Sequence, residues 1–253
     1  MNVGEPLKPA VAGAAPQGTS DEQSAAAAVR QMFTAIAPRY DLLNHLLSFN
    51  VDRRWWRRTA RTFSGILQRP EARVLDLCCG TGDLALALRR ETRGDLPAIL
   101  GADFSHAMLE RAAQKFRGRN LTALEADALR LPFPDSCFDL VVSAFGFRNL
   151  ANYETGLREM RRVLRPEGEC GILEFQEPRG AMGALYGLYF RRVLPAVGTM
   201  ISGVPGAYAY LPASVRRFPA GEEMLDLMRA AGFREVSWTP YTFGIAGLFR
   251  GKK

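Results

Sequence analysis

Two rhythms of apolar residues divide the chain. Val29, Met32, Phe33 and Ile36 recur at helical spacing from about residue 25 until Pro38 interrupts the run. A second short helix is predicted around Leu42, Leu43, Leu46 and Leu47, and a third over residues 52–63 with Asp52 as its cap. From residue 74 the period shortens. Val74-Leu75-Asp76-Leu77 reads as a buried strand running into Gly80-Thr81-Gly82, followed by a helix carrying Leu84 and Leu88. A second strand over residues 98–102 ends at Asp103, and Ser105 is placed to cap the helix bearing Met108, Leu109 and Ala112. Residues 121–126, 138–144 and 171–175 are three more strands, with a helix over 153–164 between the last two. The alternation breaks over residues 180–211, then returns as a helix over 222–231 and strands near 233–238 and 242–249.

Strands alternating with helices of this length predict an α/β fold with a doubly wound, mainly parallel sheet and helices on both faces. Ligands in such sheets bind beyond the carboxyl ends of the strands, where the strand order reverses. Residues 1–24, rich in Gly, Pro and Ala, read as a disordered leader, and residues 25–253 as one domain with a helical cap over 25–65. The apolar, aromatic stretch over 180–215 reads as an inserted lid: Leu185, Tyr189 and Arg192 would share one helical face, and Tyr186, Phe190 and Val193 another.

Composition changes this picture little, at 47% hydrophobic and 23% charged. The formal net charge of +7 is almost all arginine, since the only lysines are Lys8, Lys115, Lys252 and Lys253. Cys78, Cys79, Cys137 and Cys170 lack the spacing of a metal site and read as buried thiols, so no metal is expected. With neither a secretory signal nor a bilayer-spanning apolar run in view, the protein is expected in the cytoplasm, free or at the inner face of the cytoplasmic membrane.

The loop Asp76-Leu77-Cys78-Cys79-Gly80-Thr81-Gly82-Asp83 carries the first chemistry. Its glycines let the backbone turn tightly against a ligand, although Gly80-x-Gly82-x-x-Ala85 also satisfies a relaxed dinucleotide fingerprint. Asp103 is placed to accept hydrogen bonds from both hydroxyls of a ribose, which either cofactor carries. Asp76 before the loop and Asp83 after it suit a ligand bearing an ammonium and a sulfonium better than a pyrophosphate. Asp127, with Ala128 after the third strand, can take an adenine amino group; loop bracing for Asp76 and a turn for Asp127 are the plainer alternatives. Together these motifs favour S-adenosylmethionine over a nicotinamide cofactor.

More specific segments follow: Tyr40-Asp41-Leu42-Leu43-Asn44 with Ser48 and Trp55, Leu131-Pro132-Phe133-Pro134-Asp135, Phe145-Gly146-Phe147-Arg148-Asn149, Arg162-Val163-Leu164-Arg165-Pro166 and Leu173-Glu174-Phe175. In these the chain resembles the ubiquinone and menaquinone biosynthesis C-methyltransferases over almost everything after the leader. The resemblance implies a class I, Rossmann-like fold on a seven-stranded sheet, S-adenosylmethionine as cofactor with contacts at Thr81, Asp103, Asp127 and Ala128, and a polyprenylated quinol as substrate. The sequence departs from the family at Asp52, Glu167 and Gln176, positions outside the expected cofactor contacts.

Methyl transfer to a quinol carbon needs the neighbouring ring hydroxyl to lose its proton. Arg148 and Asn149 are expected to hold the quinol oxygens and stabilise the negative charge. Arginine is a poor base, so a water or carboxylate should take the proton, with Tyr40 and Asp41 as candidates; His45 and His106 are not expected to act. Arg53, Arg54, Arg57, Arg58 and Arg61 recur at helical spacing among Trp55 and Trp56, which suits peripheral contact with an anionic membrane. A solvated helix face with its tryptophans in the core is the plain alternative. A methyltransferase for another small lipid or metabolite would keep the cofactor loop without needing Phe-Gly-x-Arg-Asn. Nucleic acid is not expected as a partner, because the Asn-Pro-Pro-Tyr type of signature is missing and arginines alone give only weak, salt-sensitive binding. A homo-oligomer is compatible with the sequence.

Overall fold

A computed structural model describes residues 13–41, 45, 48, 50–93, 97–178, 183, 187 and 207–253. In chain order the elements are α1 (Glu22–Ile36), α2 (Val51–Thr62), α3 (Ser64–Leu67), β1 (Arg73–Leu77), α4 (Asp83–Arg90), β2 (Ala98–Asp103), α5 (His106–Phe116), β3 (Leu121–Glu125), β4 (Phe138–Ala144), α6 (Tyr153–Val163), β5 (Leu164–Phe175), α7 (Ala207–Arg217), α8 (Gly221–Ala230), β6 (Arg234–Tyr241) and β7 (Ala246–Lys252). They form the seven-stranded sheet expected, in the order β3-β2-β1-β4-β5-β7-β6. The first five pair in parallel, and β7 runs antiparallel to both β5 and β6.

Side-chain alternation explains why the central strands read as continuous apolar runs. Leu75, Val141, Ile172 and Phe249 point into one core with α6 and α8, whereas Val74, Leu140, Val142, Leu173 and Leu248 point into the other with α2, α4 and α5. A sheet covered on both faces cannot alternate with polar residues.

The structure corrects several expectations. The reading of residues 1–24 as disordered fails from residue 13: the Gly13 and Ala14 N–H groups donate to Ala151 and Leu150, and Arg217 Nε donates to the Gly13 carbonyl at 2.9 Å. Helix α1 starts earlier than expected because Asp21 accepts from the Ser24 N–H at 2.7 Å and Ser24 Oγ returns the bond, forming a capping box. Asp52 is not a cap: Asn50 holds that place in a left-handed conformation, and Asp52 lies buried with Oδ2 2.8 Å from His45 Nδ1. Ser105 sits at the cap of α5 but makes no capping bond, its hydroxyl lying 3.4 Å from that of Thr34. β5 extends to Leu164 on its amino side, and a turn over Thr242–Gly244 delays β7 to Ala246. The helix expected around Leu42, Leu43, Leu46 and Leu47 and the lid faces of Leu185, Tyr186, Tyr189, Phe190, Arg192 and Val193 lie outside the described residues.

Gly171 lies mid-strand in β5 under the ring of Phe63, where an added Cβ would come within 2.6 Å of Cζ. Gly171→Ala is expected to cost about 1–3 kcal/mol by overpacking. The urea midpoint should fall with an unchanged slope, since the surface exposed on unfolding stays the same.

Candidate active site

β1 and β4 are neighbours at the point where strand order reverses, so the segments leaving their carboxyl ends part and open a crevice. The segment after β1 turns sharply through positive φ at Cys78, Gly80 and Gly82, and the segment after β4 does so at Phe145. The two touch: a Cβ at Gly146 would stand 2.4 Å from that of Cys78. Glycine at 146 is therefore what lets the loops approach this closely.

Above the crevice lies a cavity of about 420 Å³, in the range of small-molecule sites. Asp76, Gly80, Asp103, Asp127 and Ala128 line its floor, Trp55, Phe145 and Phe175 one wall, and Phe33 and Tyr40 of the amino-terminal cap the roof. Gly82 is not among the lining residues. It packs under Phe116, where a Cβ would meet the ring at 2.3 Å, so its task is to seat the loop on α5.

Asp76 is fully buried, and neither carboxylate oxygen has a hydrogen-bond partner. Burial pushes its pKa well above the usual carboxylate range, with Asp103 and Asp83 adding to the rise. The Ala85 N–H favours the anion without reaching hydrogen-bond geometry. Asp103 is buried too and raised by burial, but it accepts from the Gly80 N–H and the Ser105 N–H at 2.9 Å each. Those bonds brace the loop and leave lone pairs for a ribose. Asp127 accepts from the Leu129 N–H at 2.9 Å, as a turn residue does, and also lines the cavity.

Asp83 departs from expectation. Its carboxylate does not face the ligand as a free charge, because Lys115 Nζ donates to it at 2.9 Å. The same ammonium lies 2.7 Å from Asp41 Oδ2 and donates to Thr81 Oγ1 at 3.0 Å, while Thr81 donates to Asp41 Oδ1 at 2.5 Å. This cluster ties the Tyr40-Asp41 segment to the glycine loop. It commits the Asp41 carboxylate and the Thr81 hydroxyl to each other.

Arg148 and Asn149 leave β4 together and are both buried. Arg148 Nη1 lies 3.0 Å from Glu174 Oε2, the Arg148 N–H donates to Oε1 at 3.0 Å, and Nη1 also donates to the Phe145 carbonyl. Nε donates to Ser214 Oγ of α7 at 3.3 Å. Among the described residues Nη2 has no partner, so its two N–H groups remain for a ligand. Asn149 Oδ1 is buried without a partner, and its Nδ2 reaches the Phe145 carbonyl only at 3.5 Å. Tyr40 lines the cavity with its ring edge-on to Phe33, the centroids 6.0 Å apart.

Glu174, Lys115, Ser214 and Tyr210 were not singled out from sequence for the site. Two signals could have found the first two: an ionisable residue ending a buried apolar strand needs a partner, and Lys115 is the single lysine between residues 9 and 251 of an arginine-rich chain. Trp55 belongs to the core reading and not to the arginine face, since it is buried and its Nε1 donates to Thr242 Oγ1 at 2.8 Å.

An orphaned buried carboxylate, a glycine-lined floor and a buried Asp103 at a strand end fit S-adenosylmethionine: Asp76 would hold its cation, and Asp103, Asp127 and Ala128 its adenosine. A solved structure from Thermotoga maritima, described as a SAM-dependent methyltransferase and possible histamine N-methyltransferase, superposes with a TM-score of 0.59 at 21% identity, over 89% of this chain and 99% of that one. At that identity the likeness concerns the fold. Fold and cavity together define the class, a class I S-adenosylmethionine-dependent methyltransferase. Within that class the chain belongs to the ubiE/COQ5 methyltransferase family, which it matches over residues 19–253. Its relatives include proteins named demethylmenaquinone methyltransferase from Deinococcus radiodurans, 49% identical over 92% of this chain and 95% of that one, and from Thermus thermophilus, 51% identical over 88% and 100%. A relative from Geobacter sulfurreducens, 46% identical over 89% of this chain and 88% of that one, is named ubiquinone/menaquinone biosynthesis C-methyltransferase UbiE.

A carboxyl group whose pKa is higher folded than unfolded takes up a proton on folding. The stability it lends is complete below the ordinary carboxyl range, about pH 4, and is lost as pH rises through the folded value. Asp76→Asn is expected to flatten that fall in cofactor-free protein, read from thermal melts between about pH 5 and 8. The same variant should bind S-adenosylmethionine about tenfold or more weakly by calorimetry, having lost the anion that meets its cation.

Proposed function

We propose that this chain transfers the methyl group of S-adenosylmethionine to a ring carbon of demethylmenaquinol, giving menaquinol. The observation that carries this reading is the pairing, in one cavity, of an aromatic wall with unpaired polar groups beside the cofactor floor. Trp55, Phe145 and Phe175 stand within 4.4 to 5.9 Å of one another, centroid to centroid, and form a continuous aromatic wall against which a flat ring can stack. The names of the relatives from Deinococcus radiodurans and Thermus thermophilus support the naphthoquinol over other acceptors.

When bound, S-adenosylmethionine supplies a methyl group on a sulfonium, which departs as a neutral thioether retaining the bonding pair. The ring carbon gains the methyl and loses its hydrogen as a proton, so the quinol keeps its oxidation state. The work left to the protein is alignment and the stabilisation of charge on the acceptor. Arg148 Nη2 donates to the ring oxygen as it becomes phenolate; because Glu174 balances the guanidinium, the gain comes from directed N–H bonds and not from net charge. Asn149 holds the second oxygen. Tyr40 closes the roof, and Asp41, engaged by Lys115 and Thr81, latches the cap while the acceptor's proton leaves through water.

A tailed quinol lives in a bilayer. No helix among the described residues is long and apolar enough to cross one. Access is instead a matter of docking, and α2 is built for it: Val51, Asp52, Trp55 and Trp56 line the cavity, while Arg53, Arg54 and Arg57 are exposed on the other side. Arg58 and Arg61 are partly engaged, one over the Tyr241 ring at 4.2 Å and the other 3.3 Å from Glu91. Contact of the first three with anionic headgroups would set the protein at the inner face of the cytoplasmic membrane, with α2 between the headgroups and the cavity.

The decisive experiment incubates purified protein with S-adenosylmethionine and demethylmenaquinol in micelles. The expected product is heavier by one CH2 on the ring; methylation of a demethylated benzoquinol instead would move the reading to the ubiquinone branch. The protein should float with phosphatidylglycerol vesicles at low salt and be released at high salt. Changing Arg53, Arg54 and Arg57 together to Gln should weaken that partition by about two orders of magnitude, and unchanged flotation would remove the membrane role from α2.

A further inference from the structure

Helix α7 (Ala207–Arg217) brings two polar side chains one turn apart to Arg148. Ser214 is fixed there, accepting from Arg148 Nε at 3.3 Å and donating to the Leu211 carbonyl at 2.9 Å. Four residues earlier Tyr210 lines the cavity, and its buried hydroxyl has no hydrogen-bond partner among the described residues. Tyr153 makes the contrast: it too is buried beside this ion pair, but its hydroxyl donates to the Arg148 carbonyl at 2.9 Å. A buried phenol left unpaired is costly, and proteins keep such groups where a ligand completes them.

We infer that Tyr210 is a further catalytic residue: its hydroxyl donates a hydrogen bond to the same quinol oxygen that Arg148 Nη2 serves. The inference rests on the methyl-transfer reading above and adds a neutral donor to the charged one. Burial outweighs the opposing pull of Arg148 and keeps the Tyr210 phenol protonated, its pKa pushed up to about 12, so it gives a hydrogen bond and does not remove the proton. The three unpaired groups then divide the quinol between them. Asn149 Oδ1 accepts from the hydroxyl that stays protonated, while Tyr210 and Arg148 Nη2 donate to the oxygen that becomes anionic. This arrangement selects an acceptor with two ring oxygens of opposite hydrogen-bonding sense. It also ties α7 to occupancy of the cavity.

Tyr210→Phe removes only the hydroxyl. The expected result on demethylmenaquinol is a kcat lower by about 10- to 100-fold, the size of a hydrogen bond to a charged group. KM should change little, because the bond strengthens as the oxygen becomes anionic. S-adenosylmethionine affinity by calorimetry should be unchanged, and the melting temperature unchanged or higher, since an unpaired buried hydroxyl is gone. That combination separates chemistry from folding, as a purely structural hydroxyl would lower stability and leave kcat intact. Wild-type kcat in the variant, with the wild-type enzyme active on quinol, overturns the role of Tyr210 and leaves the proposed function standing. A wild-type protein that binds S-adenosylmethionine and methylates no quinol overturns both.

Discussion

The ion pair between Arg148 and Glu174 holds three parts of the molecule in one place. Glu174 sits near the carboxyl end of β5, Arg148 just past β4, and through Ser214 the same guanidinium reaches α7. Burial alone raises the pKa of Glu174, and the Arg148 guanidinium counters that rise. Taking two charges out of water is expensive, and the pair survives because nearly every donor and acceptor in it is directed: backbone N–H groups of Arg148 and Phe175 both donate to the carboxylate. Its worth lies less in stability than in position, since it presents Nη2 to the cavity at a fixed place beside an aromatic wall.

The opposite electrostatic choice governs the floor. Asp76 and Asp103 are both buried, and burial holds the two carboxyls above their ordinary titration; among the described residues no cation pairs with Asp76. A cationic cofactor is the kind of group that would resolve this conflict. Roof and floor are joined by Lys115, whose ammonium bridges Asp41 on the cap side and Asp83 on the loop side. The cavity is therefore framed by two charge systems of different purpose. One, Arg148 with Glu174, is internally balanced; the other, Asp76 with Asp103, is not.

Much of this was legible in the sequence because the relevant signals are local. The change of period at residue 74, the glycines of the loop and Asp103 at a strand end dictate element type and backbone shape within a few residues, and the seven-stranded sheet followed. Pairings between distant positions were not legible. That Asp83 pairs with Lys115, that Asp52 turns to His45 instead of capping α2, and that Glu174 neutralises Arg148 all depend on where packing puts residues 7 to 32 positions apart. The docked stretch from Gly13 was missed for the same reason, being held by the backbone at Leu150 and Ala151 rather than by any apolar pattern of its own.

The close approach of the two crevice loops carries a consequence for how such a site diversifies. Cys78 and Gly146 occupy one shared space, so a bulkier residue at 146 has no room unless position 78 yields, and Cys78 already holds a left-handed backbone. Descendants of this sequence are thus expected to vary at 78 and 146 in concert or at neither, while the cavity rim drifts independently. Lineages exploring new acceptors would travel along the rim and keep this contact as an inherited hinge of shape.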